Sequence, residues 1–135
     1  MKRMSIFIAG LCVALAPTAA LAQDRDVELG QQEYLVACAG CHGESGMGDG
    51  PLADLLNITT PSLLELSQAN DGSFPYEAVL TTIDGRDGVR AHGSTMPIWG
   101  ERFQISATSQ RGETAEMVAR GRILSLVYYL QSIQK

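Results

Sequence analysis

Three features of the chain predict an all-α fold. Apolar residues recur at helical spacing near both ends, no stretch alternates as a strand would, and the first periodic segment runs into the motif Cys38-Ala39-Gly40-Cys41-His42. A chain of 135 residues makes one domain. The first helix is expected from about Asp26 to Ala39, with Val27, Gly30, Tyr34 and Ala37 on one face. Gly30 on that face removes a side chain where another backbone can come close. The expected partner is the last helix, from about Thr114 to Gln134, with a stripe of Ile123, Leu126, Leu130 and Ile133 and Tyr129 beside it. Between them, Gly43 to Pro51 contains four glycines and must be a tight irregular loop. A short helix is expected over Ser62 to Ala69, and another after Ser73, with Pro75 in its first turn and its end near Ile83. Asp84 to Ser94 and the polar stretch Ser106 to Glu113 are expected loops.

The spacing C-x-x-C-H is the attachment pattern of a c-type haem. Two thiols three positions apart can add to the two vinyl groups of one porphyrin, and the following histidine is then held under the metal. Cys38 and Cys41 would tether, and His42 would ligate the iron. Two other chemistries use similar residues. A thioredoxin-like pair shows C-x-x-C but expects alternating strands and helices and has no use for His42. A zinc site could recruit Cys38, Cys41, His42 and His92, although zinc clusters normally space their ligands more widely than Cys41 and His42.

The N-terminus bears on the compartment. Lys2 and Arg3 precede an apolar stretch from Ile6 to Ala16, and Ala20-Leu21-Ala22 offers a small-x-small cleavage site before Gln23. Residues 1–22 are therefore expected to be a cleaved secretory signal, with 23–135 as the mature domain in the periplasm. The apolar run is shorter than the ~20 residues a spanning helix wants, so a retained membrane anchor is the lesser reading. Cys12 would leave with the signal. Removing 22 of the 135 residues leaves 113, with Cys38 and Cys41 as the only cysteines and no thiol for a disulfide framework. The remaining 8 basic against 15 acidic residues argue against nucleic acid and anionic lipid as partners.

An iron held by His42 needs a sixth ligand or an open face. Met47 lies too close in sequence to reach the other side of a porphyrin, and Met117 falls at the start of the last helix, where core packing is the default for methionine. Met96 sits in the glycine- and proline-bearing loop His92 to Gly100, and Pro97 biases it to an extended conformation. Met96 is the preferred distal ligand. His92 and an open site are the alternatives.

The ordered set Gly30-x-x-x-Tyr34-x-x-x-Cys38-x-x-Cys41-His42, Gly48-Asp49-Gly50-Pro51, Met96-Pro97-Ile98-Trp99-Gly100 and Leu126-Val127-Tyr128-Tyr129-Leu130 resembles a bacterial class I c-type cytochrome, mono-haem with His/Met ligation. The resemblance spans residues 26 to 135. It implies the small cytochrome c fold, with N- and C-terminal helices crossing and short helices and loops wrapping one covalent haem c. The implied function is a periplasmic electron carrier, not an enzyme, of relatively high potential. It would act as a monomer between redox partners such as a dehydrogenase, an oxidase or a bc1-type complex. A haem c subunit bound permanently to a larger oxidoreductase and an open-site haem enzyme or sensor are the competing readings. The resemblance also implies that His42 donates its free ring N–H to a backbone carbonyl, for which Pro51 is the candidate. Trp99 is a candidate for the haem edge and Arg86 and Arg90 for the propionates. The stretch from Gln104 to Glu113 is longer than the shortest family members need, and is expected to be a surface insertion or part of a docking face.

Overall fold

The computed structural model describes residues 18–87, 96–107 and 113–135. Among these residues the regular structure is entirely helical: α1 (Thr18–Ala37), α2 (Ala39–His42), α3 (Tyr76–Asp84), α4 (Trp99–Ser106) and α5 (Glu113–Ser132), with short 3-10 turns at Ala53–Leu55 and Gln68–Asn70. The all-α cytochrome c fold expected from the sequence is the fold observed. The predicted signal segment before Thr18, together with His92 and Arg90, lies outside the described residues.

The crossing of α1 on α5 organises the molecule. Tyr34 from α1 and Ala119, Ile123, Leu126, Val127 and Leu130 from α5 form its buried centre, and Val27, Ala37 and Ile133 pack against it. The stripes read from the sequence are therefore the buried faces. Gly30 sits where the backbones meet: a Cβ there would fall on the Ser125 carbonyl and come within 2.9 Å of the Tyr129 Cβ. Two polar features lock the same crossing. Arg122 makes a two-pronged ion pair with Glu33, at 2.9 and 2.7 Å, while its guanidinium lies 4.0 Å from the centre of the Phe103 ring. Tyr34 and Tyr129 pack with ring centres 5.2 Å apart.

Three expectations need correction. First, α1 begins at Thr18 instead of near Asp26 and breaks at Cys38, beyond which α2 supplies the single turn that ends at His42. Second, Ser62 to Ala69 is not an α-helix, and only its last two residues enter a helical turn, the 3-10 turn Gln68–Asn70. Three of its N–H groups are spent elsewhere: Leu63 donates to the Gly46 carbonyl at 2.8 Å, Leu64 to the Ser62 hydroxyl at 3.3 Å, and Ser67 to the Gln134 side chain at 3.0 Å, while Ala69 donates to the Glu65 carbonyl at 2.9 Å. Such local and tertiary partners compete with the helical ladder. Third, α4 takes in Trp99 and Gly100, expected in the loop that carries Met96, and Ser106, expected to open the polar loop, and it spans residues 101–105, to which the sequence assigned no element; the start of the polar 104–113 stretch thus belongs to α4 and only Ala107 is described as loop beyond it. Trp99 and Phe103, one turn apart with ring centres 5.4 Å apart, give this short helix its inner face. The α3 expectation holds, with Pro75 at its N-cap, Val79 and Ile83 buried, and Gly85 capping its end.

Candidate functional site

The motif turn is fixed by the loop that follows it. Gly48, Gly50 and Leu52 donate their N–H groups to the carbonyls of His42, Cys41 and Gly40, at 2.7, 3.1 and 2.8 Å. The carbonyls of a one-turn helix thereby gain donors that the helix could not provide for itself. The Tyr34 hydroxyl, buried in the helix crossing, donates to the Gly43 carbonyl at 2.7 Å and ties the residue after His42 to the core. Burial raises the Tyr34 phenol well above its ordinary value, so the hydroxyl stays a donor.

His42 Nδ1 lies 3.1 Å from the Pro61 carbonyl. A carbonyl can only accept, so Nδ1 carries the hydrogen and the Nε2 lone pair is left for another partner. Burial lowers the pKa of the ring, opposed by this hydrogen bond, and the neutral form is the one a metal can use. The acceptor is thus Pro61 and not Pro51, which is exposed on an outer groove with Gly40, Gly43 and Asp49. Gly48 makes the difference. At φ 84° it turns the loop so closely against the next segment that a Cβ would strike the Thr60 carbonyl and lie 3.1 Å from Pro61.

Two adjoining cavities, each of about 290 Å³, open beside the motif and share Cys38, His42, Pro61 and Met96 in their walls. The first also takes in Cys41, Trp99 and Arg102 and is rimmed by Leu52, Leu56 and Ile58. The second runs under Leu63, Leu66, Val79, Ile83 and Leu130. All four site residues singled out in the sequence therefore line one continuous apolar slot. Of the other distal candidates, Met47 and Met117 are exposed, 54% and 71%, so Met117 is not the core residue its position suggested, and His92 is outside the described residues. Arg86 is committed to Asp84 and Glu116, at 2.5 Å each, and is not available to an anion in the slot. Arg102, over the Trp99 ring at 5.4 Å, is the cation at the slot's edge instead. Neither Arg102 nor Pro61 carries a sequence signal of its own, since each depends on an element or contact that forms only in the fold.

The donor set fits a c-type haem. The slot is apolar, two unbridged thiols stand at its wall, and a neutral imidazole and a thioether face the same space. It fits redox thiols poorly, because burial first, and then Glu33 and Cys41, push the Cys38 thiol up to about 12, while exchange chemistry needs the thiolate. Comparison with protein families matches residues 27–119 to Cytochrome c. Searches of curated proteins and of solved structures return no match. The match covers more than half of the chain and contains the motif, α1 from Val27 on and all of the slot's lining except Leu130, and the chain belongs to the cytochrome c family, whose members carry covalently bound haem c and transfer electrons.

Proposed function

We propose that the protein is a periplasmic mono-haem electron carrier of relatively high potential, with Cys38 and Cys41 as the attachment sites and His42 and Met96 as the axial ligands. The observation that supports this best is the meeting of Cys38, Cys41, His42 and Met96, residues up to 58 positions apart, in the wall of one cavity. The haem supplies reversible one-electron chemistry at its iron.

The chain's own residues set the conditions. The Pro61 carbonyl fixes the His42 tautomer and orients the ring, and such a hydrogen bond also raises the basicity of the imidazole. A thioether from Met96 favours the reduced state over a second imidazole, which is the argument for a relatively high potential. Leu63, Leu66, Val79, Ile83 and Leu130 exclude water from one side of the slot and disfavour added charge there. Among the described lining residues no carboxylate faces the slot, a setting for electron transfer without bond making. The expected signal at residues 1–22 supports export, and the acidic mature chain favours a partner that meets it through a basic or apolar surface.

Expression with a haem-attachment system followed by periplasmic extraction tests the proposal. The haem is expected to stay with the chain through denaturation and acid–acetone extraction, and the Cys38→Ser, Cys41→Ser double variant to lose it. Haem that extracts from the unsubstituted protein, or a chain found only in the cytoplasm with its N-terminus intact, would contradict it.

A further inference from the structure

We infer that Gln134 is a positioning residue for His42, acting through the loop that carries Pro61; the inference rests on the proposed ligation by His42. Gln134 follows α5 and is far from His42 in sequence, yet its side chain spans the segment after Pro61. Its Oε1 accepts from the Ser67 N–H at 3.0 Å, and its Nε2 donates to the Leu63 carbonyl at 2.8 Å and to the Leu130 carbonyl at 2.6 Å. The next residue, Lys135, donates its backbone N–H to the Leu64 carbonyl at 3.0 Å. On its other side Leu63 is held by the Gly46 carbonyl, and Leu64 is buried.

The segment needs such a clasp because it is not helical. With Ser67 N–H and the Leu63 carbonyl turned away from any local ladder, their partners must come from elsewhere in the fold. Gln134 provides both, and the third bond, to Leu130, fixes the amide to the end of α5. The position of Leu63 then fixes Pro61 two residues earlier, and with it the carbonyl that receives the His42 Nδ1 hydrogen. Loss of the clasp should lengthen that hydrogen bond. A weaker bond leaves the imidazole a poorer donor, which disfavours the oxidised state and raises the potential.

The test compares haem-loaded Gln134→Ala, Gln134→Glu and Ile123→Val by two readouts: solvent exchange of the His42 Nδ1 hydrogen followed by NMR, and midpoint potential. Ile123→Val is a control for stability alone, since Ile123 is an apolar side chain buried in the helix crossing and takes no part in the hydrogen bonds of the clasp, and exchange is compared at matched folding stability. Gln134→Ala should speed exchange roughly fivefold to tenfold, the loss expected for one net hydrogen bond, and raise the potential. Gln134→Glu keeps the acceptor for Ser67 but loses both donors, and should fall between; it also serves if the alanine variant does not fold. Ile123→Val should change neither. Unchanged exchange and potential in both Gln134 variants would overturn the inference, as would equal changes in Ile123→Val. Absence of a haem-shifted His42 resonance in the unsubstituted protein would instead overturn ligation by His42 itself.

Discussion

Where α1 crosses α5, apolar side chains interlock around one glycine, and the contact is held by burial with the Arg122–Glu33 pair at its edge. Where residues 60–67 approach His42, contact is made by backbone: Gly48 against Thr60 and Pro61, Leu63 to Gly46, and the Gln134 side chain to Leu63 and Ser67. The first kind of contact is periodic and non-directional, so it tolerates exchange of similar side chains. The second is a set of directional bonds whose geometry is passed on to the imidazole. One region should therefore govern whether the protein folds, and the other how its haem behaves.

The largest expected effect lies in the first region. Gly30→Ala places a methyl on the Ser125 carbonyl and should destabilise by about 1–3 kcal/mol, seen as a lower midpoint in denaturant with an unchanged absorption spectrum below the transition. An exposed helical glycine would respond in the opposite direction, gaining roughly 1 kcal/mol, so a stabilised variant would break the comparison at its first term.

That contact was legible in the sequence, and the reason is instructive. Val27, Gly30, Tyr34 and Ala37 share a helical face, as do Ile123, Leu126, Leu130 and Ile133, and a 3.6-residue period survives reading without coordinates. That Cys38, Cys41, His42 and Met96 line one slot could be anticipated because the motif's spacing and a proline-flanked loop leave local marks. Pro61 was not: Pro51 and Pro61 both follow glycine-rich or polar turns, and only the close approach at Gly48 selects between them. Ser62 to Ala69 was misread for the same reason, since partners as distant as Gly46 and Gln134 decide its backbone. In α4 the pattern was too short, eight residues with Gly100 second, for periodicity to speak.

A second substitution addresses the backbone-built region. Gly48→Ala must adopt φ near 84° and push against Thr60, costing at least about 1–2 kcal/mol. Unlike Gly30→Ala it should also raise the midpoint potential, because the displaced Pro61 carbonyl weakens its bond to His42. A Gly48→Ala protein that loses stability with no change in potential would erase the distinction between the two regions.

The smallest effect belongs to a surface network joining α3 to α5. Arg86 beside Glu116, helped by Arg120, holds the Glu116 carboxyl at about 2, below the usual 4.5, and Arg86 likewise lowers Asp84. Depressed carboxylate values mean that the folded state binds fewer protons than the unfolded one at mildly acid pH. The contribution is thus present above about pH 4.5 and is lost as pH falls towards about 2. Thermal unfolding from pH 6 to pH 2.5 should show a shallower acid loss in Arg86→Gln than in the unsubstituted protein, with the difference reduced in salt. Parallel curves would remove this network from the account.

The central claim is that Met96 and His42 face one iron across the slot, and the absorption of the oxidised protein tests it most directly. A weak band at about 700 nm is expected for a thioether on ferric haem, and Met96→Ala should abolish it, lower the potential and admit carbon monoxide to the reduced protein. A band that survives Met96→Ala, and disappears only when His92 or Met117 is changed, would contradict the claim.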